Sequence, residues 1–407
     1  MTEKRNNRIV LQKRLPMGFL AVWLMIITTI QWITLDMYLP ALPVLVQEFG
    51  VTEGELNISL NTGIVAAAIG TIAGGTLSDR YGRKSVILTG LAIGVLGNLF
   101  CAFVGGVAML CVWRAVAGLG SGVVETVAAA ILKDSFEGRR FQKNMTLLQS
   151  VAAVGPIFAP ALGALVINVS SWRFVFIFLA AATLITLIPM VVFTETQPAE
   201  YRFSNSFREV AKEAATIAAT PAFALFLGIG ALLTIPIWAY IAVSPYIYVN
   251  DFGLTNTSYG IYYAIGTTFS VIAPFIYLQL SKIMRIRRIV TVTILLMAAG
   301  GFIFLLAAGI HPVVLLFCAV LIFLSEGIIR PLGLVILMEE YSYVAGSASA
   351  LIQFVVNIVG AVGTALATIG WHSWTGGLGI ITLGCAALSA LFWIIILRKG
   401  YLNRHLS

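Results

Sequence analysis

The chain has 407 residues, of which 59% are hydrophobic and 10% charged, whereas a soluble domain carries roughly 25% charged residues. This composition excludes an ordinary soluble protein, and the apolar residues suffice for about twelve membrane spans of roughly 20 residues each. The apolar runs are continuous rather than alternating, which excludes a membrane β-barrel. The net charge of +8 comes from basic loops beside these runs and does not indicate nucleic-acid binding.

Twelve membrane-spanning helices are predicted from the apolar runs. The first run follows a basic stretch and lacks a small-residue cleavage site, so we expect a retained helix. The longest polar stretch, 195–221, is predicted to be a cytoplasmic linker between six-helix bundles at 1–194 and 222–407. The predicted spans are 17–39, 56–78, 86–107, 109–132, 143–167, 173–194, 222–248, 258–281, 289–309, 312–338, 344–369 and 376–397.

The lysines and arginines are distributed unequally between the two sides of these spans. All but three of the 25 fall at the termini or in the loops after spans 2, 4, 6, 8 and 12. The positive-inside rule therefore predicts that this side, with both termini, is cytoplasmic.

The two halves of the chain show a weak internal repeat. A shift of 203 residues aligns 48–52 with 251–255 and 77–78 with 280–281. A parallel repeat of this kind predicts two halves related by an axis along the membrane normal, with a solute site between them near the bilayer midplane.

The strongest local motif lies between spans 2 and 3 and contains Gly75, Asp79, Arg80, Gly82 and Arg83. We expect the glycines to permit a tight turn and the Asp79 carboxylate to face a helix N-terminus. The motif resembles the loop between helices 2 and 3 of the major facilitator superfamily, and the resemblance covers essentially the whole chain. It implies an all-α polytopic membrane protein with the major facilitator fold, twelve transmembrane helices in two six-helix pseudo-symmetric halves. A generic charged turn is the alternative interpretation.

Span 5 contains Gly155 and Pro156 within a segment ending at Gly163. Pro156 removes a backbone donor, and Gly163 lets another helix approach closely. The segment resembles the antiporter motif of drug exporters, although a kinked packing helix of any transporter would also fit. The runs 36–43 and 343–350 resemble the bicyclomycin-resistance (Bcr/CflA) branch of drug:proton antiporters. We interpret Gly155 and Pro156, together with the loop motif, as a conformational gate.

Five charged residues lie inside the apolar spans, namely Asp36, Arg114, Glu125, Glu326 and Arg330. Each costs roughly 2.5–3.5 kcal/mol at a lipid-facing helix centre, so a functional role is the default interpretation. They lie on spans 1, 4 and 10, which line the central cavity of the fold that the chain resembles. Asp36 and Arg114 are expected at similar depth, and the resemblance implies proton coupling there. A static ion pair is the alternative.

Glu125 departs from the Bcr/CflA pattern, which has a small or uncharged residue near this position. It is a candidate site for a cationic substrate or a second proton carrier, and snorkelling or pairing with Arg330 fits equally well. Glu326 and Arg330 have the i,i+4 spacing of an intrahelical pair, with either a substrate-binding or a structural role.

Aromatic and amide side chains in the spans are further candidates for a drug pocket, although packing or interfacial roles are favoured for most of them. They are Trp32, Tyr38, Trp238, Tyr240, Tyr262, Gln353 and Asn357.

Together these features predict a proton-coupled antiporter that exports drugs or other lipophilic or cationic small molecules by alternating access. The alternative is a proton-coupled transporter of a defined polar metabolite such as a sugar or organic acid. An enzyme is not expected, because the three histidines are isolated and the four cysteines lack metal or disulfide spacing. We expect a monomer in a bacterial inner membrane, with protons, a small-molecule substrate and membrane lipid as partners, and with no cofactor, metal or nucleic acid.

Overall fold

The computed structural model describes residues 15–197, 220–340 and 345–400, and the regular elements in these residues are all helical. Ten helices are long and apolar enough to cross a membrane, and shorter apolar stretches occur at 154–169 and 354–367. The predicted fold class is therefore confirmed. The twelve long helices are α1 (Met17–Asp36), α2 (Glu53–Tyr81), α3 (Arg83–Cys101), α4 (Val107–Ser135), α5 (Gly138–Val169), α6 (Trp172–Val192), α7 (Pro221–Tyr246), α8 (Asn256–Ile283), α9 (Ile286–Leu306), α10 (Pro312–Glu340), α11 (Ala345–Ala367) and α12 (Trp374–Lys399).

Several helices end earlier than the apolar runs predict, and α1 and α3 show the causes. Helix α1 ends at Asp36 rather than at residue 39, because Pro40 has no N–H to bond the Asp36 carbonyl four residues earlier. The chain continues as a 3₁₀ turn, Leu39–Ala41, and a short helix, Leu42–Phe49. Helix α3 ends at Cys101 rather than at residue 107, since the apolar residues that follow form a turn and loop. Hydropathy alone does not distinguish an apolar loop from a helix.

The internal repeat is visible in the backbone. Gly50 and Gly253 both have a positive φ, 63° and 67°, which favours glycine at each position. Thr52 and Thr255 are the N-caps of α2 and α8, and each hydroxyl accepts a bond from the N–H three residues on. The predicted alignment of 48–52 with 251–255 is therefore confirmed as structural equivalence.

Helices α1–α6 are called the first half below and α7–α12 the second half. Most of the predicted linker lies outside the described residues, as do residues 1–14 and 401–407. The division into bundles at 1–194 and 222–407 therefore stays a prediction. The basic side is the end of the molecule where Arg80, Arg83, Lys133, Lys282 and Lys399 stand at helix ends, and the other end is the opposite side.

Small residues bring α4 into backbone contact with its neighbours in the first half. A Cβ atom at Gly118 or Gly122 of α4 would overlap the backbone of α2. Conversely, a Cβ at Gly74 of α2 would lie 2.8 Å from the Cα of Val123. A Cβ at Gly97 of α3 would lie 2.6 Å from the Cα of Ala117. Close approach of this kind is the usual role of small residues between membrane helices.

The buried apolar residues form three clusters. The largest lies at the opposite side and combines residues of both halves. At the basic side each half has its own cluster, one built from α1, α3, α4, α5 and α6 and the other from α7, α8, α9, α10 and α12. The halves are thus packed together at the opposite side, and among the described residues no apolar cluster fills the space between them at the basic side.

Candidate functional site

The first candidate, Asp36, lies where the two halves meet at the opposite side. It is the last residue of α1 and is 5% exposed. Its Oδ2 accepts a hydrogen bond of 3.4 Å from the hydroxyl of Tyr263, a fully buried residue of α8. The carboxyl group therefore contacts both halves of the chain.

The second candidate, Arg114, lies on α4 within electrostatic range of Asp36, as its predicted depth requires. Its Nη1 donates to the carbonyl oxygen of Thr34 over 3.0 Å, and its guanidinium carbon lies 4.2 Å from the centre of the Tyr38 ring. Gly63 leaves room for this guanidinium, since a Cβ there would lie 3.2 Å from Nη2. Among the described residues Arg114 forms no salt bridge, and its Nε and Nη2 atoms have no hydrogen-bond partner. In this conformation Asp36 and Arg114 therefore form no direct salt bridge.

A cluster of tyrosines closes the opposite side next to Asp36. Tyr240 and Tyr248 join hydroxyl to hydroxyl at 3.4 Å, and Tyr248 stacks on Tyr262 with ring centres 5.1 Å apart. Tyr259 packs against Tyr263 with ring centres 5.9 Å apart. The pocket candidates Tyr38, Tyr240 and Tyr262 are all part of this closed region or packed against it, as the packing interpretation predicts.

A buried polar pair lies on α1 and α4 between Arg114 and the basic side. The Ser121 hydroxyl donates to Gln31 Oε1 over 2.9 Å, while Gln31 Nε2 has no hydrogen-bond partner. Glu125 follows Ser121 by four residues, so the two side chains share a face of α4. Polar groups thus continue along this face from Arg114 to Glu125.

Glu125 and Arg330 face one another from the two halves. Each lies eighteen residues after the first residue of a 29-residue helix, and the two are within electrostatic range. Glu125 is partly buried, and among the described residues it has no hydrogen bond or salt bridge. Arg330 is 47% exposed and lies 3.9 Å from Glu326, which is 11% exposed. The predicted i,i+4 pair is confirmed, although at 3.9 Å it is loose.

The remaining pocket candidates differ in their surroundings. Trp238 packs against α11, since a Cβ at Gly360 would lie 2.9 Å from its indole ring. Asn357 is buried at 8% exposure, and Trp32 is partly exposed on α1. The side chain of Gln353 lies outside the described part of the chain. A role for these residues in substrate binding stays a prediction.

The loop motif at the basic side centres on Arg83. This residue contacts Asp79 at 2.8 Å, Asp134 at 3.0 Å and the Ser78 hydroxyl at 2.6 Å. Gly82 has a φ of 96° and forms the predicted tight turn, whereas Gly75 lies inside α2 and forms no turn. Arg80 is exposed, so the pairing within the motif belongs to Arg83.

Among the described residues Asp79 accepts no bond from a helix N-terminus, so its expected place facing one stays a prediction. The carboxylate at the start of α3 is instead Glu195, which accepts bonds from the backbone N–H groups of Arg83 at 2.9 Å and Lys84 at 3.1 Å. An anion is stabilised at that position by the unpaired N–H groups and the helix dipole. Asp79 pairs with Arg83 one turn later, which leaves the helix terminus to Glu195.

The glycines of the span 5 motif lie against α1. A Cβ at Gly155 would lie 3.1 Å from the carbonyl oxygen of Thr29, and a Cβ at Gly163 would overlap that of Met37. The close approach expected at Gly163 is therefore present, and Gly155 shows one as well. Helix α5 runs unbroken through Pro156 and Pro160. Gly163 thus positions the end of α1 that carries Asp36.

Sequence reasoning missed two residues of this arrangement. The sequence gives no sign of the role of Tyr263, because nothing near it in the chain indicates a partner 227 positions away. Glu195 was read as part of a polar linker. The aligned repeat offered no signal for either contact.

An all-helical bundle of membrane-spanning length, with ionisable groups between two halves that are joined at one side, defines a membrane transporter. The family model for the Major Facilitator Superfamily matches residues 24–364, so the chain belongs to that family.

Several known proteins are similar in sequence. An uncharacterized MFS-type transporter of Bacillus subtilis (strain 168), YdgK, is 25% identical over 361 residues, which cover 86% of this chain and 88% of that protein. Multidrug resistance protein MdtL of Klebsiella pneumoniae (strain 342) is 28% identical over 242 residues, or 59% of this chain and 61% of MdtL. MdtL of Escherichia coli O127:H6 (strain E2348/69 / EPEC) is 31% identical over 176 residues, 43% of this chain and 45% of that protein.

Two solved structures show the same fold. A bacterial homolog to the human lysosomal transporter Spinster, in an inward-facing and occupied conformation, has a TM-score of 0.75 at 13% identity and covers 96% of this chain and 98% of its own. The peptide transporter POT in complex with sulfate has a TM-score of 0.75 at 15% identity, covering 96% and 97%. At these identities the likeness concerns the fold alone.

Proposed function

We propose that this transporter is a proton-coupled antiporter of the Bcr/CflA type that exports lipophilic, preferably cationic, small molecules by alternating access. The observation that carries the proposal is the placement of Asp36, a buried carboxyl group at the contact between the halves. Its neighbour Arg114 lies within electrostatic range without forming a salt bridge. Burial of an ionisable group in a membrane protein is costly and marks ion pathways by default.

Proton coupling requires a carboxyl group whose proton affinity differs between conformations. Arg114 favours the charged form of Asp36, and separation of the halves at this contact changes the surroundings of the carboxyl group and with them its proton affinity. The two free donor atoms of Arg114 leave it able to change partners. Asp36 is therefore the proposed proton carrier, and Arg114 is the group that tunes it.

The charges that face the open space favour a cationic substrate. Arg330 is shared between Glu326 at 3.9 Å and Glu125 across the space, so two acidic groups face one basic group. The negative surplus attracts a cation and gives no comparable advantage to an anion. The multidrug resistance protein MdtL among the similar proteins supports a drug substrate.

The orientation of the protein in the membrane is inferred from its basic side. By the positive-inside rule this side faces the cytoplasm, so the conformation described here takes up substrate from the cell interior. Opening of the opposite side would then release it outside. In this cycle the proposed conformational gate has two parts. One is Arg83 with its partners Asp79 and Asp134, and the other is the α5 segment with Gly155 and Pro156. We propose that the protein acts as a monomer in a bacterial inner membrane.

The test uses purified protein in lipid vesicles with an imposed pH gradient. Wild type should move a lipophilic cation against its concentration gradient at the expense of protons. The variant Asp36→Asn should bind the cation and exchange it downhill but lose the gradient-driven step. Asp251→Asn, at an exposed position on the opposite side, is the matched control and should transport normally. Full proton-driven transport by Asp36→Asn would refute the proposal. Preferential transport of a sugar or organic acid would show that the substrate is a polar metabolite and not a lipophilic cation.

A further inference from the structure

One hydrogen bond at the closed opposite side joins a carboxyl group of the first half to a hydroxyl group of the second half. Tyr263 on α8 donates to Asp36 at the end of α1 over 3.4 Å. Tyr263 is fully buried and Asp36 is 5% exposed, so bulk water does not compete for the bond. Because the residues belong to different halves, the bond must break when the halves separate at this side.

The other groups around Asp36 do not share this property. Arg114, from α4, belongs to the same half and moves with Asp36. Tyr259, one turn before Tyr263 on α8, lies in electrostatic range, but its hydroxyl is bonded to Ser244 of α7 at 3.4 Å. Helix α5 meets this region at a glycine that packs on the backbone. Among the described residues, Tyr263 is therefore the hydrogen-bonding contact from the second half to Asp36.

We propose that Tyr263 is a positioning residue that makes closure of the opposite side depend on the charge of Asp36. The inference rests on the proposed function in taking Asp36 as the proton carrier. An ionised carboxylate accepts a stronger hydrogen bond than a neutral carboxyl group does. Ionised Asp36 thus holds the opposite side shut, and protonation of Asp36 weakens the contact. No covalent bond other than that to the transferred proton changes in this step.

This dependence would prevent a specific form of leakage. If the antiporter opened to the outside while empty and unprotonated, it would export nothing. Repeated opening of this kind would also allow substrate to return to the cell. A contact that is strongest when Asp36 is ionised disfavours that opening. Substrate binding or proton binding must then supply the free energy to separate the halves.

The experiment measures opening of the opposite side directly. Ala41 is fully buried in the turn that lies against α7 and α8, so a cysteine placed there reports separation of the halves. The full chain, with its four native cysteines replaced by alanine and carrying Ala41→Cys, is placed in vesicles without substrate or gradient. The rate of labelling by a membrane-impermeant maleimide from the opposite side is measured at alkaline and at acidic pH.

Tyr263→Phe should label about ten-fold faster than the parent at alkaline pH, which corresponds to about 1.4 kcal/mol, and nearly at the parent rate at acidic pH. Tyr259→Phe is the matched control, because it removes an equally buried hydroxyl whose bond stays within the second half. It should label like the parent. Asp36→Asn should label faster than the parent at alkaline pH and nearly at the parent rate at acidic pH, each comparison being made at one pH because the maleimide reacts with the thiolate.

The inference is overturned if Tyr263→Phe labels like Tyr259→Phe at alkaline pH, or if its gain is equal at both pH values. Should Tyr263→Phe fail to fold, the Asp36→Asn comparison decides, and labelling of that variant at the alkaline parent rate overturns the inference. These readouts need no transport. Failure of the proposed function, seen as proton-driven export by Asp36→Asn, is therefore a separate result.

Discussion

Replacing Glu125 by glutamine removes one of the two acidic groups that face the space between the halves. The side chain is partly buried, has no hydrogen bond or salt bridge among the described residues, and lies opposite Arg330. The substitution keeps the size and shape of the side chain, so packing of α4 against α2 should be unaffected. What changes is the attraction for a positively charged substrate.

The expected loss of binding free energy follows from the partial exposure of Glu125. With an effective dielectric constant of about 20, the Coulomb attraction of a cation about 4 Å away is about 4 kcal/mol. Removal of water from both charges opposes this attraction, and hydrogen bonds to charged groups give a net of about 1.5–3 kcal/mol. Taking about 2 kcal/mol, Glu125→Gln should weaken binding of a lipophilic cation about thirty-fold and of a neutral analogue less than two-fold.

Equilibrium binding of one cationic and one neutral substrate of similar size, at one pH, provides the assay. Arg330→Gln is the variant of opposite sign, because it removes the positive charge and should tighten binding of the cation. Glu137→Gln, at an exposed position on the basic side, controls for the loss of a carboxylate far from the site. Equal losses for both substrates in Glu125→Gln would refute the electrostatic argument and assign Glu125 to protonation or packing. Unchanged binding of both would leave it without a role in recognition.

Two further predictions concern the first half of the chain. Glu195→Gln should lower the hydrogen-exchange protection of the Arg83 and Lys84 amides about ten-fold, because a neutral amide caps the start of α3 less well than a carboxylate; unchanged protection would show that the cap is not electrostatic. Gly163→Ala should lower the free energy of unfolding by about 1–3 kcal/mol, because the added Cβ overlaps the backbone at the end of α1. Gly384→Ala, where a Cβ would meet open space, should raise it by up to about 1 kcal/mol. Equal effects of the two substitutions on thermal unfolding in detergent would contradict the packing argument.

The helices could be predicted from the sequence because the membrane requires long apolar runs and the loops are polar or basic. The prediction failed where the loop itself is apolar, as after Cys101, and where a proline ends a helix within an apolar run, as at Asp36. Neither feature changes mean hydropathy. Helix order and number were therefore accessible, and several helix ends, among them those of α1 and α3, were not.

The candidate site was accessible in part. Asp36, Arg114 and Glu125 could be selected because a charged residue in an apolar span needs an explanation. Their partners could not, since Tyr263 and Glu195 are brought into contact only by tertiary packing. The same holds at the start of α3, where Glu195 from the segment after α6 accepts the backbone bonds while Asp79 pairs with Arg83. A single sequence identifies which groups are costly to bury and leaves open which group compensates for them.

The backbone contacts of α4 also determine where the molecule is able to deform. Side chains between two helices allow adjustment by rotamer changes, but at Gly118 and Gly122 no side chain separates α4 from α2. Sliding of these helices would bring carbonyl oxygens into collision, so α2 and α4 at the centre of the first half move as one rigid unit. Under the proposed function, solutes of different shape would be accommodated by side chains that line the space and by the angle between the two halves. The internal geometry of α2 and α4 would stay constant through the cycle.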